Sequence, residues 1–368
     1  MKKYLSLLLA AALAVSLTGC RNYSGTDNRK AAQSSAETEA AKAAQATAEA
    51  AAATRYQTPE LTFRYGEVNG EDNIITQTGY KFAEYVDELS NGRIKIEIYP
   101  NHALGDERTS LRDLRRGGRN IDMYRGNTNA LTGYGFKKLN LFGLPYIFNS
   151  REGMWKVLED EELGQAFLSE GTEVGANMVG LFYTDEGARN LFTTRKINGL
   201  EDLKGMTIRV PESVLVMDTL SALGARPVPM PYSELKDALS HGNVEGGENP
   251  LTAYISNKLY EAAPYYLLSG HIYSPGIVLM AEEKWNALSE EDQNILLEAG
   301  RRASEWNKTA IVEEEERLIN EMDEKGVTVT ELTPEEIQQA RDLEEIVRVS
   351  FTPGLEELLN RIIEIQNE

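Results

Sequence analysis

The 368-residue chain contains one cysteine, Cys20, and only three histidines. A lone cysteine closes no internal disulfide and builds no cysteine-rich zinc site, and His102, His241 and His271 are too scattered in sequence to suggest a histidine metal cluster. Basic residues are scarce too: 38 Lys plus Arg stand against 58 Asp plus Glu, a formal charge of −20. That balance argues against a nucleic-acid partner, whose phosphates call for a basic stripe strong enough to overcome the net field. The one basic cluster, Arg108 to Arg119, is short and carries Asp113 within it. Also absent are a phosphate loop, a dinucleotide-binding glycine motif, a nucleophile elbow and a paired-histidine zinc motif. Asn69, Glu71 and Asn73 lack the glycine and distal glutamate of a calcium loop. No metal or cofactor is expected, and the chain does not read as an enzyme.

What is present begins at the N-terminus. Met1-Lys2-Lys3 is a positive start, and Tyr4 to Leu17 is a Leu/Ala-rich run too short to span a bilayer, with the layout of a signal peptide. It ends in Leu17-Thr18-Gly19-Cys20, which resembles the bacterial lipobox and predicts that Cys20 is lipidated as the mature N-terminus. Residues 21–57 hold almost no large apolar side chain and run through AAQSSAETEAAKAAQATAEAAAAT, which reads as a flexible tether. No later apolar run reaches the 18 or more residues of a spanning helix, so the body is expected outside the membrane, held there by lipid.

The body reads as α/β. Leu61 to Gly66 alternates like a strand, Ile74 to Leu89 carries apolar residues at helical spacing until Asn91-Gly92, and Ile94, Ile96 and Ile98 share one face of a second strand. Further strands are expected at Ile121–Tyr124, Val179–Tyr183, Thr207–Val210, Arg226–Pro229 and Ile277–Met280. Helices are expected over Leu111–Gly118, over residues 151–170 and over Ser289 to about Lys325, and Thr333-Pro334-Glu335-Glu336 opens another as an N-cap with proline at the first helical position.

An ordered series of short motifs then runs through the chain. Asn91-Gly92-Arg93-Ile94-Lys95-Ile96, Leu104-Gly105 and Leu144-Pro145-Tyr146-Ile147-Phe148 come early. Gly187-Ala188-Arg189, Asp202-Leu203-Lys204-Gly205-Met206-Thr207-Ile208-Arg209-Val210-Pro211 and Leu223-Gly224-Ala225 follow. Pro229-Met230-Pro231-Tyr232-Ser233-Glu234 and Gly242 to Pro250 close the series. From about residue 60 to 310 the sequence resembles the solute-binding proteins of tripartite ATP-independent periplasmic (TRAP) transporters, departing from many of them in having Gly246-Gly247 where an acidic and a polar residue are common.

The resemblance implies a two-lobed, periplasmic-binding-protein-like α/β fold of the type II class with a long hinge-spanning helix. Residues 58–185 plus about 274–308 would form the first lobe, and 186–273 plus about 309–368 the second with the C-terminal helices. It implies a receptor for a small organic acid, whether a C4-dicarboxylate, a keto acid or an acidic sugar such as a uronate, which passes its solute to TRAP permease subunits in the membrane. Arg209 falls where the family's carboxylate-gripping arginine stands, a role for which a planar guanidinium with two parallel donors is suited. Arg189 falls at the second arginine and Asn249 at the ligand-facing asparagine; Glu67, Asn69 and Asn127 follow strands whose ends reach the cleft. Asn129, His271 and Tyr183 are further candidates, although His271 reads better as a core or turn histidine and Tyr183 as a core aromatic. A cleft made locally positive by Arg189 and Arg209 is expected despite the acidic whole. Two alternatives share these residues: a solute-sensing subunit of a signalling receptor, and an envelope enzyme with Glu67 or Asp72 as general base and Arg209 as anion clamp.

Overall fold

The computed structural model describes residues 55–368; Cys20, the expected signal peptide and the tether up to residue 54 lie outside the described residues. Two sheets organise the described body. Strands β1 (Leu61–Gly66), β2 (Ile94–Tyr99), β3 (Met123–Asn127), β4 (Met178–Thr184) and β10 (Gly276–Ala281) form one, in the order β2-β1-β3-β10-β4. Strands β5 (Arg189–Thr193), β6 (Thr207–Val210), β7 (Arg226–Pro229), β8 (Gly246–Pro250), β9 (Tyr265–Ile272) and β11 (Thr328–Glu331) form the other, in the order β11-β9-β5-β8-β6-β7. The longer helices are α1 (Ile74–Leu89), α2 (Glu107–Arg115), α3 (Arg151–Glu159), α4 (Val214–Ala222), α5 (Glu290–Glu321), α6 (Pro334–Phe351) and α7 (Glu356–Asn367).

The first sheet starts from a parallel β1–α1–β2 unit, with Leu61 opposite Ile94 and Tyr65 opposite Ile98. Asn73 caps α1 by accepting the Ile75 N–H at 2.8 Å, and Phe82 and Val86 on its inner face are fully buried. They pack with Phe182 of β4 and with Leu296, Ala299 and Ala303 of α5. Gly300 makes that approach possible, since a Cβ there would stand 2.6 Å from the Phe182 ring.

Three connections join the sheets. Residues 185–188 lead from β4 into β5, residues 273–275 return from β9 into β10, and α5 runs from one sheet to the other. At 1.5 Å per residue the 32 residues of α5 reach roughly 48 Å. Its first half packs on the first sheet, while Leu318 joins Phe192, Tyr254 and Tyr266 on the second. Midway, Asn307 accepts the Asp185 N–H at 2.6 Å, tying the helix to the first connection. The fold is thus α/β with two lobes and a long spanning helix. The C-terminal helices touch both sides: α6 packs on α4, and α7 packs on α3, where Gln366 donates to the Ile147 carbonyl at 3.0 Å.

Some elements differ from the sequence pattern. The helix expected at Leu111–Gly118 starts earlier, because Asp106 caps it by accepting the Thr109 N–H at 2.7 Å, and it stops before Gly117 and Gly118, both at positive φ. Residues 151–170 are not one helix. Asp160 adopts an extended conformation and accepts the Leu163 N–H at 2.8 Å, so α3 ends and a short helix, Leu163–Leu168, begins. Strands β5, β8, β9 and β11 carry no clean alternation. Strand β8 is built on Gly246 and Gly247, where added Cβ atoms would meet the Phe192 carbonyl oxygen at 2.5 Å and the Phe192 ring at 2.8 Å, so only glycine fits between β5 and β6.

Candidate ligand-binding site

The carboxyl ends of β1, β3 and β6 and the first connection converge on a cavity of about 820 Å³, in the position where open α/β sheets hold ligands. The first sheet's side supplies Asn69, Asn73, His102 and Glu107 and, from β3, Arg125 and Asn127. The second sheet's side supplies Arg189, Arg209, Tyr232 and Asn249, and Glu186 arrives from the connection between them.

Arg209 projects from β6 with 3% of its surface exposed. Its Nε and Nη2 both donate to the Met230 carbonyl, at 3.0 and 2.8 Å, and its guanidinium carbon lies 5.5 Å from the centre of the Tyr232 ring. Among the described residues no carboxylate pairs with it. Burial, reinforced by the neighbouring Arg189, pulls its pKa down to about 10, so it is still a cation at neutral pH.

Arg189 is in the opposite condition. Its Nη2 donates to Glu248 Oε1 at 2.7 Å and to Asn249 Oδ1 at 3.0 Å. Glu248 is fully buried; burial alone would raise its pKa, but Arg189, aided by His271, holds it at about 2. Arg125 is likewise neutralised. It grips Glu67 in a two-pronged pair and donates from Nη1 to Glu186 Oε1 at 2.8 Å. Burial opposes the charge of Arg125, yet Glu67 and Glu186 raise its pKa well above the usual value. Asn69 donates its side-chain amide to Glu67 and Asn127 donates to Glu186 Oε2, each at 2.9 Å, which completes a buried polar network on this wall.

Of the residues singled out in the sequence, Arg209, Arg189, Asn249, Asn69 and Asn127 line the cavity. Glu67 does not; its carboxylate is turned into the Arg125 pair. Asn129 is buried off the cavity wall, His271 is buried beside Glu248, and Tyr183 is a core aromatic donating to the Gly164 carbonyl. Asp72 is exposed and away from the cavity. The sequence reading passed over Arg125, Glu186, Tyr232 and His102. Arg125 alone left a clue, as a charged residue inside an otherwise buried strand. The Asn249 amide nitrogen and the His102 Nδ1 are buried without a partner among the described residues, and both residues line the cavity. Seven arginines line the walls against four carboxylates, Asp106, Glu107, Glu186 and Glu212, so the cavity is basic in a molecule of charge −20. Among the described residues no cluster of His, Cys, Asp and Glu is arranged to hold a metal ion.

Comparison with known proteins adds to this geometry. A family model described as bacterial extracellular solute-binding protein, family 7, matches residues 65–351. A solute-binding protein of Roseobacter denitrificans is 32% identical over 285 residues, covering 76% of this chain and 85% of that one. Among solved structures, a TRAP periplasmic solute-binding protein from Bradyrhizobium in complex with α/β-D-galacturonate superposes with a TM-score of 0.78 at 30% identity, covering 83% of this chain and 100% of that one. Another, from Sulfurospirillum deleyianum with bound succinate, gives 0.76 at 27% identity, covering 84% and 99%.

Proposed function

The chain belongs to family 7 of the bacterial extracellular solute-binding proteins, and we propose that the solute it captures is a sugar acid, a uronate or an aldonate, gripped through a single carboxylate at Arg209. Members of this family are extracytoplasmic transport receptors that serve TRAP permeases, not enzymes. One observation carries the narrower reading: among the described residues Arg209 is the single buried guanidinium of the cavity without a carboxylate partner, while Arg125 and Arg189 are already neutralised by Glu67, Glu186 and Glu248. A short dicarboxylate would need a second unpaired cation buried beside Arg209, whereas the cavity's other arginines without a carboxylate partner among the described residues, Arg112, Arg115 and Arg116, are exposed. One carboxylate against Arg209, with hydroxyls meeting the Asn249 amide, His102 and the Glu186 carboxylate, matches the donors and acceptors present. The galacturonate bound by the Bradyrhizobium protein has this chemistry, and the succinate of the Sulfurospirillum protein does not.

In this reading, residues 58–185 with about 274–308 and residues 186–273 with about 309–368 act as two lobes. They close on the solute by bending at the connections that hold Asp185 and Glu186, since only the closed form lets both walls touch it. Cys20 carries the lipid that keeps the receptor at a membrane, with residues 21–57 as its tether. A thermal-shift screen on protein unfolded and refolded to strip bound solute tests the substrate class. D-galacturonate, D-glucuronate or galactonate at a hundredfold excess over its Kd should add about 2.7 kcal/mol and raise the midpoint by about 5 °C or more, while Arg209→Ala shows no rise. A rise with succinate and none with sugar acids would replace the proposal with a dicarboxylate receptor.

A further inference from the structure

Resting on the sugar-acid reading, we propose that the site continues past a single sugar. The structure assigns a second anionic subsite to the exposed stripe of α2, where Arg112, Arg115 and Arg116 would hold the carboxylate of a following uronate, so that the preferred solute is a short uronide. The cavity that contains Arg209 is also lined by these three arginines, with Tyr134 and Asn177 on its wall. Its volume of about 820 Å³ lies near the top of the range of about 300–1,000 Å³ for pockets that hold drug-sized ligands, more than one six-carbon acid fills.

The charge pattern points the same way. Positions 108, 112 and 115 fall at i, i+4 and i+7, so three arginines share one face of α2 over roughly 10 Å, and Arg116 follows at its C-cap. Arg108 reaches across the cavity to Glu212 on the opposite wall, its Nε donating at 2.9 Å, which marks the mouth. Beyond it, Arg112, Arg115 and Arg116 have no carboxylate partner among the described residues. The protein does not lack carboxylates: Arg64, Arg93, Arg151, Arg317 and Arg348 each sit against one. Asp113, on the same helix, is turned away, accepting from the Asn120 and Ile121 N–H groups at 2.7 and 3.0 Å. Arg112 and Arg115 stand in the last turn of α2, where the helix dipole favours cations, and among the described residues no carboxylate competes with a solute for them. Tyr134 gives the groove a half-buried aromatic wall suited to a sugar ring.

Calorimetric titration of solute-stripped protein with D-galacturonate and with α-1,4-linked digalacturonate tests this, alongside an Arg112→Ala/Arg115→Ala/Arg116→Ala variant whose fold is checked by circular dichroism. The dimer should bind about tenfold tighter than the monomer at low salt. That advantage should shrink at about 0.5 M salt, as it must for exposed charges, and vanish in the variant, while galacturonate affinity stays within about twofold. A dimer that binds no tighter than the monomer overturns the proposal, as does an advantage that survives the triple substitution; the stripe then serves another partner, such as an acidic protein surface. Failure of both sugars to bind would instead overturn the sugar-acid reading itself.

Discussion

A guanidinium withdrawn from water with only a carbonyl to accept its protons keeps its charge but loses most of its hydration, and that is a cost to the folded state. Arg209 is in this condition, with the Met230 carbonyl as its acceptor and a pKa depressed by burial to about 10. A carboxylate arriving beside it would restore the lost interaction. The ligand-free protein is therefore expected to become more stable, by about 1 kcal/mol, when Arg209→Met replaces the unpaired charge with an apolar chain, while losing its response to sugar acid. Urea unfolding with and without galacturonate checks this, and a destabilised ligand-free variant would show that Arg209 is chiefly structural. Arg209 was legible in the sequence because the Lys204-Gly205-Met206-Thr207-Ile208 step precedes it. The partners of the other arginines were not. Whether Glu67 faces solute or Arg125, 58 residues away, depends on the pairing of β1 with β3, which no local pattern encodes.

Elements with a clear period were read well: β1, α1, β2 and the long helix α5 follow the alternation and helical spacing of their residues. Strands β5 and β8 were not, because their residues answer to the cavity and to close backbone packing rather than to a two-sided sheet; Arg189, Asn249 and the Gly246-Gly247 pair leave no alternation to see. Helix α6 carries the other buried charge problem. Its capping box, with Thr333 and Glu336 satisfying each other's backbone N–H, fixes its start. Its middle buries Glu344 with neither carboxylate oxygen paired among the described residues. Burial raises the Glu344 pKa from 4.5 to about 9, against a smaller opposing pull from Arg341. The folded state thus binds this proton more tightly than the unfolded chain does. Its stability contribution is fully present below pH 4.5 and is lost as pH rises towards 9. Glu344→Gln should accordingly raise the urea midpoint at pH 8 by more than at pH 5. An equal change at both values would mean that Glu344 is ionised and paired in solution.

The molecule as a whole sets an acidic surface around a basic cleft. At about 0.15 M salt the field of exposed charges fades within roughly 8 Å, so an approaching anion meets the arginines at the cavity mouth rather than the net charge of −20. In the function proposed, capture depends on bringing two walls together. With Arg209, Tyr232 and Asn249 on one sheet's side and Asn69, His102 and Asn127 on the other, a solute that bridges them favours the closed form. Solution scattering should show a smaller radius of gyration on adding galacturonate to wild type and no change for Arg209→Ala; an unchanged wild type would mean that binding does not require closure. The most direct test of the central claim is calorimetric titration of solute-stripped wild type and Arg209→Ala with D-galacturonate, D-galactose and succinate. A single buried cation aimed at a single carboxylate predicts binding of galacturonate by the wild type, with affinity falling by at least about 30-fold, or 2 kcal/mol, both for galactose and in the variant. Equal binding of galactose, preferential binding of succinate, or an unaffected variant would contradict it.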